Sequence, residues 1–218
     1  MKSQPDANSI RRLTKYLLFV GLLMGCGAAF YFLRVRPHQG APPFQPEVID
    51  VRSNQQTTNQ LIDEVAGGEF DPNEVSVLIE KSAYRLTVRY ELEPVKVYPV
   101  VFGSEPVGDK LAEGDRKTPE GIYRVRDLYP HPQWSKFIWL DYPTPQDWQE
   151  HDAAKLAGEI PATATIGSEI GIHGVPDGSD GLIDSRTNWT WGCVSLKNED
   201  VDEIYSVLSQ GTVIEIVP

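Results

Sequence analysis

The stretch IGIHGVPDGSDGLIDSRTNWTWGCVSL, residues 170–196, opens with an apolar strand and closes with a short apolar run. His173 stands at the end of the strand, and Cys193 follows 20 positions later. A strand end followed by Gly174 and a loop is well suited to present an imidazole to a ligand. The function of Cys193 is the first question, since a cysteine here could be a core side chain, a disulfide partner, a metal ligand or a nucleophile.

Cys193 has few chemical partners in this sequence. The second cysteine, Cys26, lies in an apolar N-terminal run expected to sit in a membrane, so it cannot pair with Cys193 within one chain. No Cys-x-x-Cys or His-x-x-x-His spacing accompanies Cys193, and we therefore predict no metal site. A thiol needs a base to ionise near neutral pH, and His173 is the candidate base. Spacing alone leaves a nucleophilic Cys/His pair and a buried small thiol both open.

Gly192 directly precedes Cys193 and lets the backbone approach a substrate closely. The backbone N–H groups of these two residues are candidate donors to an oxyanion. The remaining histidines, His38, His131 and His151, are expected to be structural or solvated, because isolated histidines usually are.

The chain around this stretch is rich in short β-branched segments with charged turns, which is typical of strands. Helical spacing of apolar residues and an acidic first turn predict a helix over 199–211, with Gly211 ending it. We predict a mainly β domain with one or two helices, of the α+β class, over residues 74–218. The predicted strands are 75–81, 84–92, 94–103, 121–129, 136–142, 167–175 and 212–218, and further helices are predicted around 147–158 and 57–68.

The N-terminal region is predicted to anchor the chain in a membrane. Residues 16–33 carry no charge and are just long enough to span a bilayer as a helix. Four basic residues precede the run and two follow it, which places residues 1–15 in the cytoplasm and the rest outside. A cleaved signal peptide and a lipid-anchored Cys26 are the alternatives. Residues 34–73 are predicted to be mainly a linker, and the whole chain a single-pass protein of the inner membrane.

Charge excludes one class of function. The formal net charge is -11, and residues 37–218 alone carry 14 basic and 30 acidic groups, a net charge of -16. Such a domain repels nucleic acid, so we expect no DNA or RNA partner. The lipid bilayer is expected to be contacted through the N-terminal run alone.

IGIHG followed by TWGCVSL resembles the catalytic motif of the L,D-transpeptidase (YkuD-type) family. In that family a His is followed, after a spacer, by Ser or Thr, usually a second His, Gly and Cys. Here 16 residues separate His173 from Thr190, and Trp191, Gly192 and Cys193 follow. A second segment, PVVFGSEPVGDKLAEGDRKTPEGIYRV at 99–125, is similar to the family's strand, glycine-rich turn and TPEG-type segment.

The resemblance implies a β-sandwich-like catalytic domain that acts on peptide stems of peptidoglycan and needs no cofactor. Cys193 would attack the carbonyl on the L-centre of diaminopimelate and release the terminal D-alanine, with His173 as base. The thioester would pass to an amine in the wall, including that of a wall-linked protein, or to water. A catalytic thiol of this kind is expected to alkylate faster than a free cysteine at pH 6.

Two departures from the family motif qualify this interpretation. Trp191 replaces the usual second His, and Ser195 replaces the usual Arg after the Cys. The motif is closer to a divergent, YafK-like branch, for which hydrolysis as well as transfer is expected. We predict that Arg186 partly substitutes for the missing Arg in holding a substrate carboxylate. The alternatives are a peptidoglycan amidase or carboxypeptidase that uses water, and a non-catalytic wall-binding module.

Overall fold

The structure, a computed structural model, describes residues 58–66 and 70–218 of the chain. The predicted N-terminus 1–15 and anchor 16–33, with Cys26 and His38, lie outside the described residues. The strands, numbered in chain order, are β1 Val75–Glu80, β2 Arg85–Tyr90, β3 Glu93–Pro99, β4 Gly121–His131, β5 Ser135–Leu140, β6 Gly171–His173, β7 Val194–Ser195 and β8 Val213–Val217.

These strands form one mixed sheet in the spatial order β3-β2-β1-β8-β4-β5-β6-β7. The last strand of the chain, β8, inserts between β1, to which it is parallel, and the antiparallel β4. Buried residues alternate with partly exposed ones along β1 and β8, because successive side chains point to opposite faces of a strand. The mainly β prediction is thereby confirmed.

The two edges of the sheet are joined by backbone pairing beyond the named strands. Val101, which follows β3, exchanges two hydrogen bonds with Ser195 of β7, at 3.0 and 2.8 Å. Gly103 forms a bridge to Thr190. The sheet is therefore a half-barrel, and the expected sandwich of two packed sheets is replaced by one sheet whose edge segments meet. This closure brings the glycine-rich segment after β3 against the chain that carries Cys193.

The longest helix among the described residues is stabilised at both ends by its own sequence. It begins with Thr144 as N-cap, whose side chain and that of Asp147 form a reciprocal capping box, and it ends at Gly158 in the left-handed conformation. The helices are α1 Thr58–Ala66, α2 Pro145–Ala157, α3 Gly181–Asp184 and α4 Asn198–Tyr205, and a 3-10 turn covers Pro72–Glu74.

The C-terminal helix is shorter than its sequence predicts. Apolar spacing predicts helix to Gly211, but α4 ends at Tyr205, and turns that bond to the Ile204 carbonyl carry the chain onward. Leu208 is buried in the core although it lies in one of these turns. This burial explains why its apolar position continues the helical spacing of the sequence. The short helix α3 and the two-residue strand β7 were not predicted.

Residues 58–66 fold as the predicted helix α1, although they lie in the segment assigned to the linker. Ile62 of this helix is 1% exposed and belongs to the main core cluster, so the helix packs on the domain. Across the described residues no helix has the length and apolar character needed to cross a bilayer.

Candidate active site

Cross-strand register places the predicted site residues in two rows on one face of the sheet. His173 pairs with Phe137 of β5 on one side and with Ser195 of β7 on the other. Continuing that parallel register by one residue places Gly171 beside Cys193. Because residues that pair across strands share a face, His173 and Cys193 are diagonal neighbours, about 8 Å apart between Cα atoms. The structure thus brings the predicted base and nucleophile together.

The second row has a glycine at its centre. Gly171 separates Trp139 of β5 from Cys193. A Cβ at position 171 would lie 2.6 Å from the Phe137 ring and 2.7 Å from the Ile138 carbonyl. Glycine is therefore required at this position, because the Phe137 ring, which lines the cleft, occupies the space that a side chain would take.

The cleft has a volume of about 320 Å³ and contains Cys193. Its wall is mostly aromatic and its main charged group is Glu169. A mainly apolar concavity with a few polar groups is the usual form of a small-molecule site. Its lining residues are Tyr129, His131, Trp134, Phe137, Trp139, Glu169 and Cys193.

The Cys193 thiol is held against the backbone of the segment that leads into β6. Cys193 is partly buried, and its Sγ donates to the Glu169 carbonyl at 3.6 Å. Burial raises the pKa of the thiol to about 11, and the positive charge of Lys110 offsets this only in part. In the resting site Cys193 is therefore a neutral thiol.

His173 is oriented by one hydrogen bond and by ring packing. Its Nδ1 lies 2.7 Å from the Gly174 carbonyl, so Nδ1 carries the proton and donates, which leaves Nε2 as the unprotonated acceptor. Its ring stacks on Trp134 at 4.4 Å and meets the edge of Trp189 at 5.5 Å. The imidazole is 2% exposed, and burial lowers its pKa to about 4. His173 is thus neutral and available as a base above about pH 5.

These two pKa directions define a neutral resting pair, not a thiolate–imidazolium pair. The sequence-based expectation that Cys193 reacts faster than a free cysteine at pH 6 does not fit this resting site, because a raised pKa lowers the thiolate fraction. These pKa directions favour activation of the thiol during substrate attack, with proton transfer to His173 in the same step.

Thr190 fixes the turn before the nucleophile. Its hydroxyl donates to the Cys193 carbonyl at 2.7 Å and accepts from the Gly192 N–H at 3.2 Å. The predicted oxyanion donor Gly192 therefore has its N–H engaged inside the turn. Gly192 has a φ of 140°, and a Cβ there would lie 2.7 Å from the Lys117 carbonyl, so the position requires glycine.

Gly174 and Ser195 hold the His173 ring in place through a shared hydrogen-bond acceptor. The Gly174 carbonyl accepts from His173 Nδ1 and also from the Ser195 hydroxyl at 3.2 Å. Ser195 is fully buried, and a Cβ at Gly174 would lie 2.1 Å from the side-chain oxygen of Asn198. Ser195, which stands where the family has an Arg, therefore serves the imidazole and has no access to substrate.

The TPEG-type segment forms the other side of the nucleophile turn. The buried Thr118 accepts from the Gly103 N–H at 3.0 Å, and its carbonyl accepts from Lys81 Nζ at 2.9 Å. A Cβ at Gly103 would lie 2.1 Å from the Arg116 carbonyl and 3.1 Å from Gly192 Cα. The two motifs found in the sequence thus meet in space at Gly103 and Gly192.

Among the predicted site residues Cys193 alone belongs to the cleft lining, and two of the others lie on the exposed surface. Trp191 is 73% exposed, with the Arg116 guanidinium over its ring at 5.2 Å. Arg186 is exposed and lies over the ring of Tyr84 at 5.4 Å. The substrate-binding role of Arg186 remains a prediction.

Sequence reasoning missed most of the cleft wall. His131, predicted to be structural or solvated, lines the cleft and stacks on Trp134 at 4.3 Å. The run from His131 to Phe137 is dense in aromatic residues, and this was the available signal. The helical His151 is buried, with Nδ1 2.6 Å from the Leu111 carbonyl. Within residues 58–66 and 70–218, no group of three or more His, Cys, Asp or Glu side chains is placed to hold a metal ion.

The sequence model of the YkuD family, described as the L,D-transpeptidase catalytic domain, matches residues 74–216. The chain therefore belongs to this family of peptidoglycan-modifying enzymes. No curated protein matches the chain in sequence. The family match begins where the predicted catalytic domain begins and includes both motifs.

Several solved structures are similar to the chain. Bd1075 of Bdellovibrio bacteriovorus has a TM-score of 0.48 and 22% identity, over 66% of this chain and 48% of that one. The helical cell shape determining protein Pgp2 of Campylobacter jejuni has a TM-score of 0.45 and 21% identity, over 73% and 54%. L,D-transpeptidase 3 of Mycobacterium tuberculosis has a TM-score of 0.43 and 14% identity, over 66% and 61%. The chain thus spans about half to three fifths of these proteins.

Proposed function

We propose that the chain is a cysteine acyltransferase that cleaves and transfers peptidoglycan stem peptides. The observation that carries this proposal is the partly buried thiol at the floor of an aromatic cleft, next to a histidine whose tautomer leaves Nε2 free. Family membership supplies the substrate class, since L,D-transpeptidases act on these peptides.

The chemistry has two steps. Cys193 attacks the carbonyl on the L-centre of diaminopimelate as His173 Nε2 takes the thiol proton. The C–N bond then breaks, the proton passes to the leaving D-alanine amine, and a thioester remains on Cys193. An amine acceptor reverses this sequence, forms a new amide and releases the thiol. The neutral resting pair suits this mechanism, because His173 can accept the proton without an ion pair formed beforehand.

The backbone supplies the oxyanion contact in this proposal. The N–H of Cys193 belongs to the attacking residue and lies next to the carbonyl under attack. The Gly192 N–H can join it only after it releases the Thr190 hydroxyl, to which it donates in the resting site. Thr190 is thereby a positioning residue that links the turn to the reaction.

The acceptor distinguishes two versions of the function. Glu169 lines the cleft, and its backbone carbonyl accepts from the thiol. Its carboxylate therefore attracts the ammonium group of an amine acceptor in the cell wall. That acceptor is a stem peptide or a wall-linked protein. Hydrolysis is the second candidate, because Cys193 is partly exposed and water can reach a thioester there.

We place the domain on the extracytoplasmic side of the inner membrane, anchored through residues 16–33.

The experiment incubates the purified full chain with disaccharide-tetrapeptide and identifies products by mass spectrometry, with Cys193→Ala as control. A cross-linked dimer that requires Cys193 would support transfer, and a shortened monomer that requires Cys193 would support hydrolysis. Products that do not change in the control would contradict the proposal, and no product at all would favour a wall-binding module.

A further inference from the structure

Three arginines of the described residues lie over aromatic rings, and only one of these rings lines the cleft. That ring is Trp139, and the guanidinium of Arg126 lies 4.3 Å from its centroid. Trp139 in turn lies in the same row as Cys193, with Gly171 between them. The other two stacks are Arg116 over Trp191 at 5.2 Å and Arg186 over Tyr84 at 5.4 Å.

Strand alternation places Arg126 on the face of this ring. Val125 pairs with Leu140 and both are buried in the core, so the adjacent residues Arg126 and Trp139 point to the opposite face. Asp127 pairs with Trp139, so Arg126 is also the extra residue of a β-bulge between the two pairs. Bulges commonly occur beside active sites.

The stacked guanidinium keeps its hydrogen-bonding edge free. Stacking on Trp139 uses the flat face, while all five N–H donors lie in the plane and point outward. No ion pair of Arg126 occurs among the described residues, although its neighbour is acidic. Asp127 instead accepts from the Leu128 N–H at 2.9 Å and from the side chain of Gln210 at 3.5 Å.

Charge makes such a cation necessary for an acidic ligand. Residues 37–218 have a net charge of -16, and Glu169 places a further carboxylate in the cleft lining. A stem peptide with several carboxylates is repelled by this surface unless a local cation binds one of them. Ser195, which occupies the position of the family's Arg, is buried behind His173 and cannot do this.

We propose that Arg126, stacked on Trp139, binds a carboxylate of the donor stem peptide and so orients the scissile bond over Cys193. The identity of this ligand rests on the proposed function. A bidentate contact between a guanidinium and a carboxylate fixes both position and direction, as a binding residue in this cleft requires. The role predicted for Arg186 is thereby assigned to an arginine that borders the cleft.

The test measures binding apart from catalysis, by calorimetry on the full chain carrying Cys193→Ala. Adding Arg126→Gln should raise the Kd for disaccharide-tetrapeptide at least about tenfold, because a charge-assisted pair is lost. Arg126→Lys should give a smaller rise, since the charge stays and the planar fork is lost. Arg116→Gln is the matched control, an arginine stacked on a tryptophan outside the cleft, and should leave the Kd within about twofold.

Donors with one carboxylate at a time converted to an amide then identify the group that is bound. The Arg126→Gln effect should vanish for one of these donors and persist for the others. An unchanged Kd, an equal loss on every amidated donor, a larger loss with Arg186→Gln, or no binding to the Cys193→Ala chain would each overturn the inference. Binding that depends on Arg126, without Cys193-dependent turnover in the unmodified chain, would leave it standing and defeat the proposed function instead.

Discussion

The two ends of the sheet are built by different rules. At one end, β1, β2 and β8 are five or six residues long and bury alternate apolar side chains in one core. At the other end, β6 has three residues, all buried, and β7 has two. The first end is specified by a repeated apolar pattern, whereas the second depends on single residues such as Gly171 and His173. Packing tolerates the exchange of similar side chains, and the site does not.

Cys193→Ala should have the largest effect on activity and almost none on folding. Removing the nucleophile should lower turnover by about four orders of magnitude or more, because no other group can form the thioester. The free energy of unfolding should change by less than about 1 kcal/mol, since a partly buried thiol leaves only a small space. Product formation and urea denaturation measure the two quantities. Cys26→Ala, the change at the other cysteine, should retain turnover, and an equal loss there would contradict the assignment.

Ile79→Ala tests the end of the sheet that lies away from the site. Ile79 is fully buried in β1 between β2 and β8, so the change should lower the free energy of unfolding by about 3 kcal/mol. Turnover per folded molecule should be unaffected below the unfolding temperature. Ile122→Ala is the control, because that side chain is 68% exposed. Loss of activity with Ile79→Ala in fully folded protein would show that the two ends are not independent.

The stability of the site end should depend on pH through His173. In the unfolded chain this imidazole takes up a proton as the pH falls below 6.5, but in the folded site only near pH 4. The stabilisation is complete above pH 6.5 and is lost as the pH falls toward 4, by at most about 3 kcal/mol. Denaturation series at several pH values, compared with His173→Phe, measure this slope. Identical slopes in the two proteins would contradict the buried neutral imidazole.

Gly171→Ala should lower both the free energy of unfolding and turnover. A Cβ at this position meets the Phe137 ring and a backbone carbonyl, so we expect a loss of about 1–3 kcal/mol in the free energy of unfolding. The same methyl group would displace the Phe137 ring, which lines the cleft with Cys193, and turnover should fall at least about tenfold in protein that remains folded. Gly181→Ala, where a Cβ has open space, is the matched control. Unimpaired turnover with Gly171→Ala would mean that the position of the Phe137 ring does not matter for catalysis.

Alkylation of the resting thiol should give the smallest effect. Burial raises the pKa of the Cys193 thiol to about 11, which lowers the fraction of thiolate at pH 7. A more basic thiolate is also a stronger nucleophile, which offsets part of this loss. Cys193 should therefore react with iodoacetamide roughly tenfold more slowly than a free cysteine at pH 7. Peptide mass spectrometry of timed samples measures the rate at Cys193 separately from Cys26. A rate above that of free cysteine would indicate an ion pair in the resting site.

The same contrast explains what the sequence revealed. Alternating apolar residues predicted β1, β2, β3 and β8, and the spacing of His173 and Cys193 with the TPEG-type segment predicted the family. Beyond the aromatic residues of 131–137, the cleft wall could not be predicted, because Trp139, Gly171 and Cys193 become neighbours only through the register of three strands. Strand β7 was not predicted, because two residues are too few to show an alternating pattern. The bulge at Arg126 likewise depends on pairing between strands, which no local pattern encodes.

The most direct test of the central claim is intact-protein mass spectrometry of the full chain, quenched in acid shortly after mixing with disaccharide-tetrapeptide. We expect a mass increase that corresponds to the donor without its terminal D-alanine, located on Cys193 and removed by hydroxylamine. The adduct should be absent from Cys193→Ala and strongly reduced in His173→Ala. An adduct that persists in Cys193→Ala, or turnover of the donor with no adduct under any quench time, would contradict a thioester mechanism at Cys193.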